Sequence, residues 1–566
     1  MKGMIQDLLT TFKDHRKPLL LLALTWGVYF TVLFLRILVM KPDGIYGGHV
    51  NVWSDWSLHI GMVNIFAHKS PYDWFAYHPL YSEGRFTYPF LTNLLSGLLV
   101  RCGISLVSAM TIPSVAYSFA LLVGLYLFLH TLLRSRRQAI LVIFLFLLSS
   151  GPGFLRYAQD LILHFSWDSV WFPPKDYSQI SARQWYAGNV IEGLLAPQRA
   201  FLLGMTLAAW ALYAMFRGLD VLECDRTLGK KYWIFAGVLI GLLPFTHVHS
   251  LVAITPAIAL VLFFRTIRNP KTGRDLFYLG FPSVSLVATH YIFVLRGGIQ
   301  ATHFQTWVPG WMAEGGFTGW VSLWLRIWGV AIPLALFAFA RWAWKKDSAT
   351  AFAKIFVGTF FLLFGLANLI LFQPIAWDNS KIFFWCYLVF CVPMAVLLDD
   401  LARTRKRRFI GAAAVLLFAL TGTGLMETYR IQRIERNQHQ MANLEDIQLG
   451  EKIRNTTGPR DVFLTSTDHN QFIMMWGARP ILAGFTPWLW NYGFNYEQTE
   501  RDLKRIYLGD SDAKALLAKH HIHYVVIGSA ERRNFHSNDA FFAHAYPLAF
   551  SNQNYRIYDV TSSRTP

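Results

Sequence analysis

The chain has 566 residues, of which 54% are hydrophobic and only 15% charged, with a formal net charge of +18. A soluble globular domain carries about 25% charged residues, so these values exclude an ordinary soluble protein. The basic residues cluster in short segments between long apolar runs, where they set membrane orientation, so the charge does not imply a nucleic-acid partner.

Lys13, Arg16 and Lys17 precede an apolar run from Leu19 to Val39 that is long enough to span a bilayer. No small-residue cleavage site follows, so this run reads as an anchor with a cytoplasmic N-terminus. The next stretch, the loop over residues 41–103, is then extracytoplasmic. Its core, Gly47 to Arg101, is too polar to cross a membrane and is rich in aromatics, histidines and turn residues. Ser54-Asp55 is placed to cap a helix running through His68, and Asp55 and His59 fall one turn apart on one face of it. Ser70-Pro71-Tyr72 and His78-Pro79-Leu80 read as turns, and Tyr88-Pro89-Phe90 opens a second, short amphipathic helix.

Treating Pro89–Val100 as a helix lying along the interface keeps Arg134, Arg136 and Arg137 on the cytoplasmic side. The later basic clusters then alternate correctly: Arg217 to Lys231, Arg265 to Arg274, Arg341 to Lys346, and Arg403 to Arg408. About eleven spans result, with N inside and C outside, in a multi-pass plasma (inner) membrane protein. Four further outer segments remain. They are Gly151–Pro197 with Asp160, Asp168, Asp176 and Glu192; Thr246–Ser250; Arg296 to about Trp320; and Gln373–Lys381. From Glu427 the chain changes character. A charged helical stretch through Arg454 leads to strand-like segments from Asp461, over His523–Gly528 and over Tyr555–Val560, with helices near Tyr496–Tyr507 and Ala513–Lys519. The division is a transmembrane domain over 1–427 and an outer α/β domain over 428–566. Four cysteines, none in the C-terminal region, supply neither a disulfide framework nor a cysteine-rich metal site. No Gly-rich phosphate loop supports nucleotide binding.

Asp55, among Trp53, Trp56 and Trp74, suits a general base if partly desolvated; the alternative is that it only caps its helix. His59 either shares a proton or metal with it or simply packs. Glu192 either assists Asp55 or is solvated. His247 and His249, two residues apart, are a weak zinc signal with no third ligand nearby in sequence. Arg199 follows Pro197-Gln198 and either binds an anion or snorkels; Asp378 and Lys381 are spaced for an i,i+3 ion pair. The topology puts the N-termini of the fourth, sixth and tenth spans at the outer face, near Arg199, near His247 and His249, and near Lys381. Helix N-termini favour anions, so these residues, with Arg479 of the outer domain above them, form a candidate phosphate site. Trp56, Tyr88 and Asp378 are candidate substrate contacts.

The first-loop acid, the interfacial helices and the Tyr-Pro-Phe-Leu helix start resemble the GT-C superfamily of membrane glycosyltransferases, which includes protein O-mannosyltransferases and the aminoarabinose transferases of lipid A. The segments FTYPFL, APQRAF, WDNSK and GARPIL…WLWNYGF…YVVIG carry the resemblance across the whole chain. The sequence departs from relatives in having Ser54-Asp55-Trp56 where an Asp-Glu pair is common, and Tyr-Pro-Phe where Pro-Pro is. The resemblance implies a GT-C-like polytopic α-helical membrane protein with a small extracytoplasmic α/β domain, and places Asp55 as the base. The expected activity is inverting transfer of a sugar from a polyprenyl-phosphate donor to a hydroxyl of a glycan, lipid or protein. No cofactor is required; a divalent metal is optional. The rival readings are a transporter or flippase for lipid-linked sugars, and a non-catalytic glycan-assembly protein.

Overall fold

The computed structural model describes residues 2–179, 188–296, 305–345, 351–404 and 406–562. Lys346, Arg405 and the middle of the second and fourth loops therefore lie outside the described residues. The chain is a polytopic α-helical membrane protein with a small sheet-containing C-terminal region. Among the described residues, eight helices are long and apolar enough to cross a membrane, from Arg16–Ile37 to Arg407–Gln432. A ninth span forms if Gly316–Trp328 and Ala331–Trp344, bent by 89°, are counted as one. The bend falls at Gly329, whose φ of 55° is the left-handed conformation that glycine tolerates without cost. The expected eleven would need two shorter segments as well, Arg136–Leu147 and Ala351–Ala367. Leu91–Arg101, with 11 residues, and Arg136–Leu147, with 12, are each about 16–18 Å of helix, short of a full crossing.

The chain divides into two compact units that do not follow its order. The helical unit comprises Met1–Phe34, Ser114–Tyr291 and Gln305–Ile434. Its centre is the Ala376–Arg403 segment, whose apolar stretch is buried throughout because aliphatic and aromatic residues occupy every face of the helix. The last helix of this unit runs from Arg407 through Gln432, so the expected boundary at Glu427 falls inside it. Polar residues at a span's end need not end the helix when they find buried partners.

The second unit comprises Leu35–Pro113, which contains the first loop, Ile292–Phe304 and the C-terminal segment, Glu435–Pro566. Leu38–Lys41 and Gly44–Gly47 form a hairpin, and His439–Asn443 adds to it antiparallel. That strand interrupts the charged stretch expected to be helical through Arg454; the helix itself starts at Leu444, capped by the Asn443 side chain. The C-terminal sheet has the order Val462–Leu464, Ile522–Ile527, Arg556–Asp559, Leu548–Ser551; its first pair is parallel and the others antiparallel. The strand runs anticipated near Asp461, His523 and Tyr555 supply three of the four strands. The helix Val50–His68 packs on Phe472–Met475, where Asn64 Nδ2 donates to the Met475 carbonyl at 2.6 Å. Gly61 allows the approach, since a Cβ there would meet the Met474 carbonyl oxygen at 3.0 Å.

Candidate active site

The first-loop helix begins at Val50, and its N-cap is His49, whose side chain accepts from the Asn51 N–H. Ser54 and Asp55 therefore lie inside the helix, beyond its first turn, and the capping role considered for Asp55 belongs to His49. Asp55 is half-buried. One turn on, His59 is buried and accepts at Nδ1 from Asn93 Nδ2 at 3.0 Å. An amide nitrogen only donates, so His59 carries its proton on Nε2. Tyr88 lies with its ring centroid 6.0 Å from His59 and 5.6 Å from Tyr492, a C-terminal residue that no spacing in the sequence ties to this loop. Trp56 is fully buried and builds the core beneath the helix, so it offers no face to a substrate.

The helical unit brings three helix starts together. Helices begin at Arg199, at Val248 with His247 as N-cap, and at Ser380 after a short turn over Ala376–Asn379. Phe201 packs edge-on to His247 at 5.1 Å, and Trp385 Nε1 donates to Ser250 Oγ at 3.1 Å, which ties the first two turns of the three helices into one place. His247 and His249 stand with ring centroids 5.4 Å apart, both buried. Among the described residues neither Nε2 has a hydrogen-bond partner. Lys381 lies close enough for its charge to act on both rings, and its Nζ is 2.9 Å from Asp378 Oδ1. The i,i+3 ion pair suggested by the spacing therefore forms; Asp378 is buried and compensates the half-buried Lys381 rather than being presented to a substrate. Arg199 is fully buried, not snorkelling, and donates from Nε to Ser114 Oγ at 3.3 Å.

Two predicted residues are committed elsewhere. Glu192 is buried in a π-helical turn, Ile191–Leu195, where it accepts from Ser178 Oγ at 3.1 Å and pairs with Arg430. Arg430 also pairs with Glu427, and Asp176 Oδ2 is 4.0 Å away. Oxygens of the three acids lie within 4.8 Å of one another, a spacing that suits one divalent ion. The Arg430 guanidinium already supplies a cation there. Burial and the neighbouring Glu192 and Glu427 charges push the Asp176 carboxyl well above its ordinary range. Arg430 thus offsets part of the cluster's negative charge. Glu427 and Arg430 were legible as an i,i+3 pair at the end of an apolar helix; their joining to Asp176 and Glu192 was not.

Arg479 is the second such residue. It is buried and donates to the carbonyls of Arg454 at 2.6 Å, Thr457 at 2.9 Å and Gly477 at 3.2 Å, and to Thr457 Oγ1 at 2.9 Å. A guanidinium with its donors spent on carbonyls is a clasp of the C-terminal segment, not a phosphate ligand.

Among solved structures, the oligosaccharyltransferase of Archaeoglobus fulgidus, tethered by a disulfide to an acceptor peptide containing the NVT sequon, matches with a TM-score of 0.53 at 11% identity, over 98% of this chain and 75% of that one. The GT-C fold is shared. The apo form of the same enzyme matches with a TM-score of 0.51 at 12% identity, over 91% of this chain and 69% of that one. ArnT from Cupriavidus metallidurans, bound to undecaprenyl phosphate, is similar at 10% identity and a TM-score of 0.47, over 96% of this chain and 98% of that one. No family model matches the chain, and no curated protein matches it in sequence. At these identities the likeness to other GT-C structures is one of fold.

Proposed function

We propose that the chain is an inverting glycosyltransferase that moves a sugar from a polyprenyl-phosphate donor to a hydroxyl acceptor at the outer membrane face. The observation that carries this reading is the convergence of three helix starts on two buried imidazoles whose Nε2 atoms have no partner among the described residues. Helix N-termini bring partial positive charge and unpaired N–H groups, which suit a leaving phosphate. Arg199 adds a buried cation beside the first of these helices. The GT-C fold supports the assignment, and so does the placing of Asp55, which lies half-buried within the first-loop helix.

In this mechanism the Asp55 carboxylate takes the acceptor O–H proton as the oxygen bonds to the anomeric carbon. The bond from that carbon to the phosphate oxygen breaks from the opposite side, configuration inverts, and the lipid phosphate leaves as an anion. His59, fixed as the Nε2–H tautomer, orients groups on the same helix face. The chain's own donors neutralise the leaving group.

The test is reconstituted protein with a labelled polyprenyl-phosphate sugar and an accessible acceptor. Transfer of label to acceptor with release of polyprenyl phosphate is expected. Movement of intact donor across the bilayer, or donor binding without turnover, would replace this reading with a flippase or an assembly protein.

A further inference from the structure

A backbone N–H can only donate, so a ring nitrogen facing one must be an acceptor. His247 Nδ1 faces the Ser250 backbone N–H at 3.2 Å and the Ser250 hydroxyl at 2.9 Å. The Trp385 indole N–H reaches the same hydroxyl oxygen at 3.1 Å, which leaves the Ser250 proton to point toward the imidazole. Nδ1 therefore bears no proton, and the ring is the neutral Nε2–H form. That N–H is buried and, among the described residues, has no acceptor. A buried donor left unmet destabilises the fold, so it is expected to have a ligand oxygen to answer it.

The surroundings fix the direction as well as the proton. Ser250 and Trp385 are both fully buried, and Phe201 packs against the ring edge. A Cβ at Gly204 would lie 2.4 Å from His247 Cβ, so the neighbouring helix closes on the ring only because residue 204 is glycine. The charged and titratable groups that face His247 are His249 and Lys381, with Asp378 held by Lys381.

We propose that Trp385 and Ser250 are positioning residues for donor recognition: through the Trp385 N–H, the Ser250 hydroxyl and His247 Nδ1, they lock His247 as an Nε2–H donor aimed at an oxygen of the lipid monophosphate. The proposal rests on the donor-phosphate reading above and adds the relay behind it. Ser250→Ala removes the hydroxyl, Trp385→Phe removes the indole N–H, and Ser250→Thr keeps a hydroxyl.

The experiment titrates undecaprenyl phosphate, with undecaprenol in parallel, into the full-length protein in nanodiscs. ¹⁵N-histidine spectra follow the tautomer, with His247→Gln to assign the signal. Ser250→Ala and Trp385→Phe should each weaken undecaprenyl phosphate binding about tenfold, Ser250→Thr should restore most of it, and undecaprenol binding should not change. The parent His247 should give the Nε2–H signature, replaced by a tautomer mixture in Ser250→Ala. Parental binding by both relay variants, equal loss for both lipids, or an Nδ1–H signature in the parent would each overturn the relay. If binding falls in His247→Gln but not in the relay variants, the relay fails while the phosphate site stands. If His247→Gln also binds as the parent does, the phosphate reading fails with it.

Discussion

Glu83 of the first loop and His520 of the C-terminal segment are joined Oε1 to Nδ1 at 2.7 Å. His520 Nε2 is 2.9 Å from Asp502 Oδ2, and Lys519 closes on the same carboxylate. An imidazole between two carboxylates donates from both nitrogens and is held protonated. The bond to Glu83 raises His520 above its ordinary 6.5, against the opposing effect of burial. The bond from His520 holds Glu83 below its ordinary 4.5. Burial raises Asp502, but bonds from Lys519, His520 and Gln498 outweigh it and hold its carboxyl at about 2.

The His520 contribution is complete below pH 6.5 and is lost as pH rises through its raised folded value; the Glu83 contribution is complete above pH 4.5 and is lost as pH falls through its lowered one. The melting temperature of the parent should exceed that of His520→Gln by on the order of 2 °C between roughly pH 5 and 6.5, and the gap should shrink toward pH 9. A gap constant across that range would show that the clasp is not ionic.

Asp55→Asn keeps the size of the side chain and removes the base. Turnover should fall on the order of a hundredfold or more, with little change in melting temperature, because the helix cap is His49. Near-parental turnover would remove Asp55 from the chemistry. Glu192 is not its ready replacement, being already paired with Arg430.

Arg430→Met leaves the buried Glu192 and Glu427, with Asp176 beside them, without their cation. A loss of about 3–5 kcal/mol is expected, seen as poor recovery of monodisperse protein in detergent. Adding Glu192→Gln and Glu427→Gln should restore much of it. Recovery equal to the parent in the single variant would mean that another cation serves the cluster.

Arg479→Gln should lower the melting temperature, since several carbonyls lose a charged donor, by about 2–4 kcal/mol in stability. The KM for donor should stay near the parent's. A raised KM at unchanged stability would return Arg479 to the phosphate site.

Orientation is tested by labelling single cysteines at Ser135 and Ser562 after replacing the exposed Cys102 and Cys224. The two positions should show opposite accessibility in intact cells, with Ser135 cytoplasmic. Labelling of both from the same side would invalidate the N-in, C-out topology.

The class of the protein, helix starts near Arg199, His247 and Lys381, and three of the four strands of the C-terminal sheet were legible in the sequence. These depend on local quantities: apolar run length, flanking basic residues and turn-bounded β-branched runs. The sequence also anticipated the Asp378–Lys381 pair, because i,i+3 spacing on a helix fixes that contact without help from the rest of the chain. Tertiary structure decided everything that depends on distant partners. It buried Trp56 and spent Arg479 on carbonyls and Glu192 on Arg430, whereas the loop-helix cap at His49 is a local contact with Asn51 that sequence reading missed. It also brought Ser250 and Trp385, 135 positions apart, behind His247. A charge in a sequence is a free ligand until packing assigns it a partner, and inside a protein the low dielectric makes that assignment obligatory.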